Sequence, residues 1–257
     1  IGLCHMLSEN GGVRAEFTIF KRARNNYYLV FAGSQERHDW DYLTKLAPCD
    51  GTVSLQKVTT QIGVLVLAGP MSRNVLQKLT DTDLSNNSFR WLTGRSINLC
   101  HAKADALRVN FVGELGWEIH HPIEMQNYIF DRIMEAGKEF GIRPFGIRAM
   151  DSMRLEKSYR VIPRELSIEY SAFESGLDRF VKLEKEEDFI GKKSLIKWRS
   201  RGFKHRFVTL EVHGTTDADA RGSEGLYSGG NLIGRATSGG FGFRTNKSLV
   251  LGLVHSG

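Results

Sequence analysis

Residues 106–122 read ALRVNFVGELGWEIHHP, and the interpretation of this run decides the fold. Residues 106–112 alternate in the manner of a strand. The glycines at 113 and 116 turn the chain, and residues 117–120 (WEIH) read as the returning strand. Directly after them, Met125, Ile129, Ile133, Ala136 and Phe140 fall on one face of a helix predicted over 124–140. A strand pair followed at once by an amphipathic helix is an α+β arrangement.

The same logic extends outward. Residues 63–69 (GVLVLAG) read as a short buried strand, and Gly69-Pro70 opens a helix striped by Val75, Leu76 and Leu79. Residues 17–20 (FTIF) and 27–31 (YYLVF) read as a hairpin across the polar turn 21–26. Helices are predicted over 35–46 and 147–159. After Lys197 the composition changes. Residues 205–213 (HRFVTLEVH) alternate, glycines become frequent, and 226–227, 231–233 and 249–254 look like short strands. This tail reads as an antiparallel barrel or sandwich, with a boundary expected near 195–203.

The chain has 257 residues, 41% of them apolar and 25% charged, a globular composition with room for more than one lobe. No apolar run approaches the roughly 18 residues of a bilayer span, so no membrane segment is expected. The first residue is Ile1 and no signal segment follows, so truncation at the N-terminus is expected, and likewise at the C-terminus. A net charge of +6 suits an anionic ligand or a mildly basic surface. No basic run with interleaved aromatics points to nucleic acid. Cys4, Cys49 and Cys100 are odd in number and widely spaced, which argues against a disulfide framework or a zinc site and for a reducing compartment.

Several tempting motifs lose their force on inspection. No GxGxxG follows a strand and no GxxxxGK[ST] occurs, so this segment has no fingerprint for a nicotinamide, flavin or nucleotide. His120 and His121 are neighbours on a strand and face opposite ways, so one metal ion cannot take both, and no metal site is expected. They read as a polar strand end. His38-Asp39 are neighbours on a predicted helix and read as surface or cap residues.

Five segments, taken together, resemble the folate-binding aminomethyltransferase family, which includes the glycine-cleavage T-protein. They are 113–118 (GELGWE), 150–157 (MDSMRLEK), 174–177 with 180–183 (ESGL, FVKL), 188–192 (DFIGK) and 237–239 (TSG). The similarity runs along nearly the whole chain. Residues 15–18 (AEFT), after Gly11-Gly12, and 75–85 (VLQKLTDTDLS) look most like the folate half of dimethylglycine and sarcosine dehydrogenases. The cysteine-bearing motif of the related iron–sulfur maintenance proteins is missing. The resemblance implies two interleaved α+β lobes over 1–198, truncated at the N-terminus, followed by an antiparallel β-barrel over 199–257, truncated at the C-terminus.

It also implies site residues. Glu118 matches the family's pterin-binding carboxylate, which accepts the ring N–H and amino group as a bidentate pair. Gly113 and Gly116 shape the turn that aims it. Phe111 stands where T-proteins carry a tyrosine near the pterin, keeping the ring and losing the hydroxyl. Glu16 aligns with the catalytic carboxylate, usually Asp, and takes an electrostatic and acid–base role. Tyr170 and Glu174 line the cavity. Met150 replaces a folate-contacting arginine of T-proteins, as it does in the dehydrogenase relatives. Arg154 and Glu156 read as structural pairs under their helix.

The activity implied is tetrahydrofolate-dependent one-carbon transfer. The methylene group of an oxidised N-methyl amine of the dimethylglycine or sarcosine type is captured as 5,10-methylenetetrahydrofolate. Rival readings are glycine-cleavage aminomethyl transfer, methyl transfer of the dimethylsulfoniopropionate type, and a non-catalytic folate-binding scaffold. Implied partners are tetrahydrofolate, a small amine or sulfonium donor, and a fused or associated flavin dehydrogenase domain. FAD belongs only to such an upstream domain. The expected compartment is bacterial cytoplasm or, in a eukaryote, the mitochondrial matrix.

Overall fold

The computed structural model describes residues 1–215 and 217–256. The chain divides into two units interleaved along the sequence. The first comprises Ile1–Gly2, Phe20–Tyr28 and Trp40–Gly146, and the second Leu3–Ile19, Leu29–Asp39 and Ile147–Gly257.

The first unit is built on a four-stranded sheet of β4 (Ile62–Ala68), β5 (Gly94–Leu99), β6 (Ala102–Leu107) and β7 (Gly116–Pro122), ordered β4-β7-β6-β5. All three pairings are antiparallel. Period-two alternation sorts β7 cleanly. Trp117 and Ile119 are buried in a core with Leu67, Leu76, Phe89, Ile97 and Ile129, while Glu118 and His120 lie on the other face. Two helices supply the facing layer: α2 (Ser72–Gln77) with Val75 and Leu76, and α3 (Gln126–Gly137) with Ile129 and Ile133. The stripe expected over 124–140 is the one that packs, with a 3-10 turn at each end of α3.

The second unit has its own core of Leu7, Val13, Leu166, Ala172, Leu177 and Leu195. Leu195 projects from α5 (Lys192–Arg201). Its C-terminal sheet contains β8 (His205–Val212), β9 (Gly225–Ser228), β10 (Asn231–Gly242) and β11 (Lys247–His255), antiparallel and ordered β8-β11-β10-β9. Helix α4 (Ile147–Leu155) packs on β10 and β11. Strands β1 (Gly2–Leu7), β2 (Val13–Ala23) and β3 (Asn26–Phe31) form a three-stranded sheet with β2 in the centre. The predicted 17–31 hairpin is its β2–β3 pair. Helix α1 (Glu36–Leu46) follows.

Several expectations need correction. The strand predicted over 106–112 ends at Leu107 and begins at Ala102. Asn110 captures the amides of Val112 and Gly113 at 3.0 and 3.1 Å, a local turn that competes with strand pairing. The strand at 62–68 is only half-buried: Val64 and Val66 are each 42% exposed. His120 and His121 stand near the end of β7, as expected, but they are buried rather than solvent-facing. His38 and Asp39 do meet, Nδ1 to Oδ1 at 2.9 Å, and Asp39 is buried. Adjacent helical side chains diverge along the helix face, yet a short carboxylate can still bend back to its neighbour's ring. Strands β1 and β5 have no counterpart in the sequence reading.

Candidate functional site

In the first unit, the loop between β6 and β7 is stapled by one side chain. Asn110 Oδ1 accepts from two backbone amides, and its Nδ2 donates to the Glu114 carbonyl at 2.9 Å. Gly113 sits at φ +70°, the left-handed region that favours glycine. Gly116 is required for a different reason. A Cβ there would lie 2.5 Å from the Leu67 carbonyl oxygen and 2.9 Å from Ala68 Cα. The loop is tied down again at Leu115, whose carbonyl accepts from Gly69 N at 2.8 Å and Ser72 Oγ at 3.0 Å. Phe111 is half-buried within this loop.

Two residues beyond Gly116 stands Glu118, its side chain 19% exposed. Among the described residues no hydrogen-bond donor engages its carboxylate, and its one ion-pair neighbour is His120 Nε2 at 3.4 Å. Val66 is its cross-strand partner on β4, so a partly open apolar surface adjoins the carboxylate. A half-buried carboxylate without donors favours a ligand that brings its own N–H groups, because the alternative is an under-solvated charge. A flat ring edge bearing two N–H groups fits that need, and the neighbouring valine suits the ring's face.

In the second unit, Glu16 lies on β2 with its carboxylate 2.7 Å from His5 Nε2 on β1. The His5 ring in turn packs on Phe180, centroids 5.4 Å apart. A carboxylate–imidazole pair can hold and pass a proton. The sequence reading singled out Glu16 but missed His5. The signal available was a histidine inside a strand-like apolar run at 2–7, which only cross-strand register could connect to Glu16. Arg160 is held below the usual arginine range, first by burial and then by Arg179, while the charge of Glu16 acts the other way.

Tyr170 is half-buried, edge-on to His205 at 5.2 Å, with the Arg235 guanidinium 5.7 Å from its ring. Glu174, expected to line a cavity, is instead a buried structural acceptor. Its oxygens take the backbone amides of Ser171, Lys204 and His205 at 3.0–3.1 Å, together with the Ser171 hydroxyl. Arg154 is likewise structural, bonded to Asp151, Glu165, Ser238 and the Tyr159 carbonyl. Glu156 caps the β10–β11 turn by accepting from the amides of Arg244 and Thr245, each at 2.9 Å. Among the described residues no cluster of three His, Cys, Asp or Glu is arranged to hold a metal ion.

Comparison with known proteins places these residues in context. Residues 1–185 match the family model described as the GCVT N-terminal domain, and 205–257 match the glycine cleavage T-protein C-terminal barrel domain. The chain is 39% identical over 253 residues to the mitochondrial dimethylglycine dehydrogenase of Mus musculus, covering 98% of this chain and 29% of that protein. It is 31% identical to the mitochondrial sarcosine dehydrogenase of the same species, covering 97% and 28%. It is also 31% identical to an aminomethyltransferase of Caldanaerobacter subterraneus subsp. tengcongensis, covering 98% and 66%. The chain thus spans under a third of the two dehydrogenases. The crystal structure of glycine cleavage system aminomethyltransferase T from Bartonella henselae shares the fold, with a TM-score of 0.83 at 24% identity over 98% of this chain and 67% of that one.

Proposed function

The chain belongs to the glycine-cleavage T-protein, or aminomethyltransferase, family, and from that premise we propose that it captures the methylene group of an oxidised N-methyl amine on tetrahydrofolate. The amine is of the dimethylglycine or sarcosine type, and the product is 5,10-methylenetetrahydrofolate. In this reading a fused or associated flavin dehydrogenase supplies the oxidised amine; two of the relatives are dehydrogenases of which this chain spans under a third. Any FAD would sit in that other domain.

The observation that supports this reading is Glu118, a half-buried carboxylate that no donor engages, set on a rigid strand behind a stapled turn. It would accept the paired N–H groups of the pterin edge. Gly113 and Gly116 would aim it, and Phe111 would offer an apolar ring nearby. Glu16 would act as the catalytic carboxylate, with His5 holding a proton against its Oε2. Tyr170 would add a further aromatic contact. Tetrahydrofolate, when bound, supplies the nitrogens that accept the one-carbon unit. In the same reading, residues 1–198 form the folate-binding domain and 199–257 the barrel domain.

The compartment proposed is the mitochondrial matrix in a eukaryote, following the mitochondrial relatives, or the cytoplasm in a bacterium. Among the described residues no helix is long and apolar enough to cross a membrane.

The test is an anaerobic titration of tetrahydrofolate into the longest natural polypeptide carrying this segment. Saturable one-to-one binding, lost in Glu118→Ala, is the expected result. A well-folded protein that does not bind would overturn the reading. Identifying the folate product, methylene or methyl, separates this activity from methyl transfer.

A further inference from the structure

Glu118 and His120 are two residues apart on β7 and therefore share one face of the sheet. His120 is buried, and its two ring nitrogens have different surroundings. Nδ1 lies 3.1 Å from the Tyr28 hydroxyl of β3. Nε2 has no hydrogen-bond partner among the described residues, yet it stands 3.4 Å from Glu118 Oε2. The tyrosine ring also meets the imidazole edge-on, centroids 5.3 Å apart.

This geometry selects a tautomer. If Nδ1 carried the proton, the Nε2 lone pair would face a carboxylate oxygen in a buried setting, which is repulsive. If the Tyr28 hydroxyl donates to Nδ1, the proton sits on Nε2, the ring nitrogen that stands 3.4 Å from Glu118 Oε2. A tyrosine can play that part only while it keeps its proton. Burial raises the ionisation of Tyr28 above the usual tyrosine range, and the nearby charges of Asp105 and Glu118 raise it further, against the lowering effect of Arg22.

The surrounding elements reinforce the hydroxyl's position. The Arg22 guanidinium of β2 lies 4.1 Å from the Tyr28 ring centroid. It is held there by Asp105 of β6, Nε to Oδ2 at 2.8 Å. Asp105 also accepts from Ser96 of β5 and is the cross-strand partner of His120. On the other side, Val64 of β4 is the partner of His120 and brings no charge.

We infer that His120 is a positioning residue for Glu118, an Nε2–H donor whose tautomer is set by the Tyr28 hydroxyl. One carboxylate oxygen is thereby steered, and the other is left for the ligand. The inference rests on the reading of Glu118 as the pterin acceptor.

The test compares tetrahydrofolate with its 2-desamino analogue, which lacks one of the paired donors, in the full natural polypeptide under anaerobic conditions. The wild type prefers the parent compound. In Tyr28→Phe and in His120→Leu that preference falls about tenfold, the scale of a hydrogen bond to a charged group. In His120→Gln, whose amide can still donate at a similar reach, the preference is retained. A merely structural role would weaken both ligands alike and leave their ratio unchanged. An unchanged ratio in Tyr28→Phe and His120→Leu, alongside its loss in Glu118→Gln, overturns the inference and leaves the Glu118 assignment standing. An unchanged ratio in Glu118→Gln overturns the pterin assignment itself, and this inference with it.

Discussion

Arg154 Nη2 donates to Ser238 Oγ at 2.7 Å, joining two residues 84 positions apart in the chain. The serine hydroxyl passes the bond on to Glu165 Oε1 at 2.6 Å, and Glu165 Oε2 receives Arg154 Nη1 at 3.2 Å. Arg154 and Glu165 are both fully buried, so the pair is closed to water. Two of the segments that carry the family resemblance, MDSMRLEK and TSG, are therefore one structural joint between α4 and β10.

Removing one partner of a buried pair strands the other charge. Arg154→Ala is expected to destabilise the protein by about 3–5 kcal/mol, the usual cost of an uncompensated buried charge. The double variant Arg154→Met with Glu165→Gln should recover a large part of that loss. Chemical denaturation of both variants tests this, and a single variant within about 1 kcal/mol of wild type would contradict it.

Gly116→Ala should cost about 2 kcal/mol through overpacking, because the new methyl meets the Leu67 carbonyl oxygen and Ala68 Cα rather than a flexible side chain. Its effect should reach the β4–β7 pairing, so amide exchange should quicken at Gly69, whose N–H bonds to Leu115. Unchanged exchange there would show that the strands part easily to admit the methyl.

If Glu16 and His5 act as a proton-handling pair, removing either should lower turnover far more than binding. Glu16→Gln and His5→Leu are each expected to reduce turnover of an N-methylated glycine by about 10²–10⁴-fold, the usual share of general acid–base catalysis, with tetrahydrofolate affinity little changed. Full turnover in both variants would relegate the pair to structure.

Tyr28 titrates above an ordinary tyrosine because burial disfavours its phenolate. The folded state holds this proton more tightly than the unfolded one. The resulting contribution is therefore intact below the ordinary tyrosine range and is lost as pH rises through the folded-state value. Phenolate absorbance during an alkaline titration should show a late-ionising group that disappears in Tyr28→Phe. A titration curve unchanged by that substitution would contradict the assignment.

Much of the local structure is legible in the sequence. The five-residue stripe over 124–140 is the packed face of α3 and its flanking 3-10 turns, because a helix must bury its apolar stripe against a neighbour. Residues 205–213 alternate because β8 lies in an antiparallel sheet. The turn at 113–116 was written in glycines. Its other half, the Asn110 staple, is not legible there, because an asparagine in an alternating run reads as one more polar strand position.

What the sequence determined by itself is much of the local order: the helices and several of the strands, though not β1 or β5, the apolar face of α3, and that Glu118 stands two residues past a glycine turn. What only the tertiary structure decided is the company those side chains keep. His5 meets Glu16 across β1 and β2, Tyr28 meets His120 over 92 positions, and Glu174 spends its carboxylate on backbone amides. Alternation fixes which face a residue takes but says nothing about which strand lies beside it or in what register. Those choices come from burying the whole sheet against its helices at once, a sum over many distant contacts that no single stretch of sequence contains.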